Sequence, residues 1–209
     1  MRHFIIFVEG DTEERVLAGF LKRWLNPRLS EPVGIRTINF KGYANLYKDC
    51  SQRAKLHLNG PRKDDIIAVI SLLDLQGPNF YPENKISIEE RYQWGKVHFE
   101  RQVKSSRFKH HFVVHELEAW LLSEPAIFSK QLAPLIEEYS EHPETVNFNR
   151  TPAKLLNEIY IQQLKRTYKK VTEGNRLFSQ LNPDVVYQKC PYFRLLMEDL
   201  LALARRQSR

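Results

Sequence analysis

Three places in the 209-residue sequence carry acidic side chains directly after apolar runs rich in β-branched and aromatic residues. Phe4 to Val8 leads into Glu9, Ile66 to Leu73 leads into Asp74, and Phe112 to Val114 leads into His115-Glu116-Leu117-Glu118. Runs of this kind read as strands covered on both faces. If the strands are neighbours in one parallel sheet, Glu9, Asp74 and one or both of Glu116 and Glu118 converge at a single edge. Carboxylates gathered in this way repel one another unless a cation lies between them. A set of oxygen donors with no accompanying His and Cys framework suits Mg²⁺ or Mn²⁺. Such an ion polarises a phosphoryl oxygen and activates water for hydrolysis. Spacing alone leaves a plainer reading open, in which each carboxylate is a solvated strand end.

The elements that must position these residues follow from the hydrophobic pattern. Gly10 suits a tight turn at positive φ, and Asp11 or Thr12 is expected to cap a helix running from about Thr12 to Leu25. Glu9 then sits beside a helix N-terminus, at the edge where open α/β sheets bind ligands. Val33 to Phe40 alternates as a second strand. Leu46, Cys50, Ala54 and Leu58 mark one stripe of a helix over residues 43–58, closed by Asn59-Gly60-Pro61. A further helix is expected from about Ser87 to Ser105. A short fourth strand at 112–114 follows the basic cluster Arg107-Phe108-Lys109-His110-His111. The next helix is expected to begin at His115 and to break at Pro125, with Trp120 on the face of Glu116 to seat that carboxylate. Strands alternating with helices predict an α/β fold with a mostly parallel sheet of about four strands. Beyond Pro125 no strand is evident. Residues 134–150 read as a loop or linker, and helices are expected near 152–163, 173–181 and 191–206, the first opened by Thr151-Pro152. The expected organisation is an α/β domain over residues 1–125 with a helical extension, 126–209, packed on it.

Composition bounds the reading further. At 42% hydrophobic content the chain can bury a substantial core. It has no apolar run of about 18 residues, hence no expected membrane span, and no signal peptide is evident, so a cytoplasmic protein is expected. Cys50 and Cys190 lie outside any zinc or disulfide pattern. The net charge of +7 is unevenly placed: residues 1–149 hold 20 Lys and Arg against 20 Asp and Glu, and residues 150–209 hold 12 against 5. A basic end beside a neutral, carboxylate-bearing part suits a polyanionic partner such as nucleic acid. His110, His111 and His115 are expected at the surface or facing phosphate rather than as a metal set, because adjacent residues point apart on a strand. Trp94, Trp120 and Phe112 read as core. No phosphate loop of the G-x-x-x-x-G-K-[ST] type occurs, which argues against ATP hydrolysis by this chain.

Taken together, the motifs resemble a TOPRIM-like bacterial family catalogued as a domain of unknown function. The resemblance is carried by Glu9-Gly10-Asp11-Thr12-Glu13, by Asp74, and by His115-Glu116-Leu117-Glu118-Ala119-Trp120. Near the C-terminus it continues in Tyr168-Lys169-Lys170 and Cys190-Pro191-Tyr192-Phe193, so it spans nearly the whole chain. TOPRIM domains are the metal-binding catalytic cores of topoisomerases, bacterial primases and nucleases of the overcoming-lysogenization-defect type. The resemblance implies a TOPRIM-like α/β fold and a divalent-metal-dependent nuclease acting on nucleic acid. It also implies a setting in bacterial antiphage defence beside a separate ATPase. Glu9, Asp74, Glu116 and Glu118 would hold Mg²⁺ or Mn²⁺, and Glu13 would serve as general base or outer ligand. Lys165, Arg166, Lys169 and Lys170 would hold backbone phosphates. One departure is Asp74-Leu75-Gln76, where TOPRIM domains usually carry Asp-x-Asp. Gln76 can offer a carbonyl oxygen as a ligand but no charge, which weakens a second metal position. Two alternatives stay open: a non-catalytic module that binds nucleic acid or a partner, and a hydrolase of a small phosphorylated substrate.

Overall fold

The computed structural model of the chain describes residues 1–145 and 150–206. Strands β1 (His3–Val8), β2 (Gly34–Asn39), β3 (Ile66–Asp74) and β4 (Phe108–Val113) form one sheet in the order β2-β1-β3-β4. All three pairings are parallel. The central strands β1 and β3 are almost wholly apolar because both of their faces are covered. Phe4, Ile6 and Val8 point to one layer, Ile5 and Phe7 to the other. The crossovers are α1 (Asp11–Leu25), α2 (Tyr43–Asn59) and α3 (Ile88–Val103). Helix α1 lies on the Phe4 face, α2 and α3 on the Ile5 face. From β1 the chain moves to β2 on one side, while β3 pairs on the other. Between β1 and β3 the strand order therefore switches, and a crevice opens at their carboxyl ends. Glu9 and Asp74 flank it.

The remaining helices are α4 (Glu118–Leu122), α5 (Ala133–Glu137), α6 (Pro152–Leu164), α7 (Lys170–Gln180), α8 (Pro183–Lys189) and α9 (Pro191–Arg206). They extend the α1 layer into one continuous core. Phe4, Ile6 and Ile70 of the sheet share it with Leu155, Leu177, Phe193 and Leu200. At its centre Trp120 stacks on Phe20, with centroids 5.9 Å apart, and meets Phe193 edge-on at 4.7 Å.

Several expectations need correction. Strand β4 begins at Phe108, not Phe112, so all of the basic cluster but Arg107 is strand. His110 and His111 point apart as expected, yet both are buried rather than at the surface. They stay there because they are partnered: His110 Nδ1 lies 3.0 Å from Ser71 Oγ, and His111 bridges Tyr92 (2.7 Å) and Asp199 (3.1 Å). The helix expected from His115 starts at Glu118, which leaves Glu116 in the connecting segment. Trp120 therefore shares no helix face with it and serves the core. Trp94, expected in the core, is half-buried and stacks on His98. Helix α8 was not anticipated, and α7 begins three residues early, at Lys170.

The described part of 134–150 is no linker, and residues 146–149 lie outside the described residues. Ile136, Ser140 and Glu144 are buried. The Glu144 carboxylate accepts the backbone N–H groups of Tyr192 (2.8 Å) and Phe193 (3.2 Å), donors that the first turn of α9 cannot satisfy internally. Burial pushes its carboxyl up to about 8, against the pull of those two N–H groups.

Candidate active site

The site is assembled from three strand ends and one helix start. Glu9 follows β1 directly, and Gly10 is the N-cap of α1 in an extended conformation (φ −135°, ψ 174°) with no side-chain cap. Neither the expected positive φ nor the expected Asp11 or Thr12 cap is present. Asp11 instead pairs with Lys41 and accepts a bond from Asn39. Glycine at position 10 leaves room for Glu13: a Cβ there would stand 2.6 Å from Glu13 Oε2, the far end of a side chain that would have to move. The absence of that Cβ lets the Glu13 carboxylate fold back over the helix start. Burial, opposed by its own backbone N–H and by Lys170, raises the Glu13 carboxyl.

Asp74 closes β3, and its side chain hydrogen-bonds that of Glu9. Burial, reinforced by Glu13, raises Glu9 to about 7, while Asp74 and Lys170 oppose the rise. Burial, then Glu9 and Glu13, hold Asp74 well above the usual carboxylate range. Burial and mutual repulsion thus both disfavour the fully ionised form of this pair. After β4 the chain turns so that Glu116 and Glu118 approach the same edge. The N–H of Gln76 donates to the His115 carbonyl (3.4 Å), tying the end of β3 to that turn.

The cation among these acids is one that sequence reasoning assigned elsewhere. Lys170, expected to grip backbone phosphates with Lys165, Arg166 and Lys169, stands in the carboxylate cluster. Its Nζ is 3.3 Å from Glu118 Oε2 and 3.9 Å from Glu116 Oε1. Burial works against its charge, but Glu118, Glu116 and Asp74 outweigh burial and hold the ammonium above the ordinary lysine range. Burial likewise raises Glu118, with Lys170 opposing. The other oxygen of Glu116 accepts the N–H of Ala153 (3.0 Å), at the start of α6. Tyr168 is a second neighbour that sequence reasoning did not single out for the site. It is buried, and burial followed by Glu118 keeps its hydroxyl protonated. The Tyr168-Lys169-Lys170 run was visible in the sequence, but nothing in spacing brings α7 to the sheet edge. The other three cations line the α6–α7 connection. Lys165 donates to the Gln162 carbonyl, Arg166 pairs with Glu173 (2.9 Å), and Lys169 is exposed.

Among the described residues, no three ligating side chains are yet closed around one point as a metal would hold them. The chemistry of the donor set nevertheless fits a hard divalent ion. It offers oxygen donors without His or Cys, and its several carboxyls face the single ammonium of Lys170. An entering cation would favour the ionised carboxylates, the usual linkage of metal binding to proton release.

The fold and this edge define an α/β protein with a carboxylate cluster at its topological switch point. The chain belongs to the family described as Domain of unknown function (DUF4276), whose model matches residues 8–201. A search of the curated proteins finds no match. Among solved structures, the chain is similar to the C-terminal region of the OLD protein of Xanthomonas campestris pv. campestris. That pair is 14% identical, with a TM-score of 0.48 and coverage of 100% of this chain and 99% of the other. The C-terminal region of the Burkholderia pseudomallei OLD protein is 17% identical with a TM-score of 0.48, covering 96% and 98%.

Proposed function

We propose that this chain is a divalent-metal-dependent phosphodiester hydrolase, a nuclease of TOPRIM type. The observation that supports it is the approach of Glu9, Asp74, Glu116 and Glu118 to one sheet edge around Lys170, where burial and mutual repulsion disfavour full ionisation of the first two. Glu9, Asp74 and one or both of Glu116 and Glu118 would hold Mg²⁺ or Mn²⁺, with Gln76 as a neutral oxygen donor. The ion supplies Lewis-acid polarisation of the scissile phosphate and a more acidic water. Glu13, with its raised affinity for a proton, would take one from the attacking water. Lys170 offers positive charge at the same edge, next to the carboxylates. Lys165, Arg166 and Lys169 would hold flanking phosphates, which makes affinity for nucleic acid salt-dependent. The sequence resemblance supports a setting in bacterial antiphage defence beside a separate ATPase, and the sequence pattern a cytoplasmic one.

The test is a calorimetric Mn²⁺ titration paired with cleavage assays on single- and double-stranded DNA and RNA. Glu9→Gln/Asp74→Asn should bind the ion at least about tenfold more weakly, having lost two charged ligands. It should also cut nothing, while its circular dichroism stays native. Equal Mn²⁺ affinity in the two proteins would sink this reading. Gln76 favours one other reading, a non-catalytic nucleic-acid module. That protein would bind nucleic acid with no metal-dependent cleavage for the double substitution to remove.

A further inference from the structure

The amino-terminal edge of the sheet carries a second cluster, of opposite sign. A pocket of about 340 Å³ opens there, lined by His3 of β1, Gly34 and Arg36 of β2, His57 of α2, and Arg62 from the turn before β3. Arg53, one helical turn before His57, lies over the Phe40 ring at 5.0 Å and extends the cationic wall. Asp65, beside the pocket, holds Arg62 at 3.3 Å across an exposed surface. Among the described residues neither Arg36 nor Arg53 is in an ion pair. Burial, Arg36, Arg53 and His3 all act on His57 in one direction, against its protonation. His3 is lowered in the same way by burial, Arg62 and Arg36, with Asp65 opposing.

Three elements thus bring the guanidinium groups of Arg36, Arg53 and Arg62 towards one another, beside two imidazoles held against protonation, with Asp65 as an offsetting acid. Such a gathering costs electrostatic free energy unless an anion completes it. We propose that this pocket binds a phosphoryl anion, with Arg36, Arg62, His3 and His57 as its donors. Guanidinium groups present paired N–H donors that match phosphate oxygens, and imidazoles at the mouth add donors that gain charge as the anion arrives. Gly34 keeps the approach open: a Cβ there would stand 2.8 Å from His3 Cβ and press on that side chain. The pocket is not an annex of the carboxylate cluster. His3 and Glu9 are separated by the length of β1, about 20 Å at strand rise, so a phosphate held here is not one undergoing reaction there. Its source is either a free phosphate or nucleotide, or the backbone of a nucleic acid wrapped along the protein.

The experiment titrates inorganic phosphate, pyrophosphate and a short oligothymidylate into the full chain at low ionic strength. Calorimetry is read together with NMR of the histidine imidazoles. Pyrophosphate should bind and raise the pKa of both His3 and His57. The Arg36→Gln/Arg62→Gln protein should bind it about tenfold more weakly or worse, having lost two charge-assisted donors. Both arginines are exposed, so that variant keeps its fold. Glu9→Gln/Asp74→Asn should leave anion binding unchanged, which separates this proposal from the fate of the nuclease reading. Binding of phosphate and pyrophosphate without competition from the oligonucleotide would support a free phosphoryl ligand. Binding of the oligonucleotide alone, lost in the arginine variant, would support a backbone phosphate. The proposal is overturned if no anion moves the imidazole signals, or if the arginine variant binds all three as the wild type does.

Discussion

Strand β1 begins at His3 and delivers Glu9 six residues later, and its two ends have been built into opposite electrostatic environments. At the carboxyl end, buried acids crowd until full ionisation is disfavoured, with Lys170 brought in from a distant helix as the counter-charge. At the amino end, arginines and histidines crowd around a more open pocket, with Asp65 as the offsetting acid. The zero net charge of residues 1–149 conceals this separation, because a sum over sequence says nothing about which end of a strand a charge occupies. On the two proposals, each end would take an ion of the opposite sign, and the two ends would answer to different ligands.

The comparison breaks most visibly at Lys170. Lys170→Gln leaves the buried Glu118 without its ion pair, so ion-free protein near neutral pH should lose about 1–3 kcal/mol of stability, the lower figure applying where solvent screens the half-exposed ammonium. Chemical denaturation with and without Mn²⁺ measures this. The ion should restore most of the loss, and an unchanged midpoint in ion-free buffer would show that the lysine does not balance the cluster.

A smaller effect should distinguish the two ends by pH. Glu9 is raised from 4.5 to about 7 in the folded chain, so its contribution to stability is whole below about 4.5 and is lost as pH rises towards 7. His3 and His57 are lowered from 6.5, so the folded chain resists their protonation and stability is lost as pH falls below 6.5. Added Mn²⁺ should therefore raise the melting temperature more as pH increases, and pyrophosphate more as pH decreases. Thermal melts across about pH 5 to 8 read both trends. Parallel trends for the two ligands would mean that the ends are not independently completed.

The smallest change in stability is expected at Gly10. Gly10→Ala places a methyl group against Glu13 Oε2, the movable end of a side chain, so the cost should stay below about 1 kcal/mol. Displacing that carboxylate should still slow cleavage by about tenfold, since misplacing a catalytic group is costly. Steady-state cleavage beside a thermal melt tests this. A large drop in melting temperature with full activity would remove Glu13 from the chemistry.

The sequence shows the central strands plainly, because strands covered on both faces must be continuously apolar, and with them the two acids that end β1 and β3. It hides β4 behind Lys109, His110 and His111, since hydropathy cannot register that the two imidazoles are buried against Ser71, Tyr92 and Asp199. Lys170 was legible as one of a basic group but not as a member of the carboxylate cluster, a contact made across the α1 layer. The cationic pocket was not legible at all. Its residues come from two strands, a helix and a turn, and each alone is an ordinary surface charge.

The Glu144 cap has a practical consequence for anyone who wishes to label or split this protein. The composition of 134–150 invites an inserted tag, reporter or cleavage site, as polar, proline-bearing stretches usually do. Here the same backbone carries the carboxylate that satisfies the first amides of α9 from 48 residues away. An insertion at 138–145 would pull that carboxylate off and loosen the terminal helix, whose Phe193 packs against Trp120. Glu83 and Asn84, exposed in the loop before α3, are the better place to open the chain.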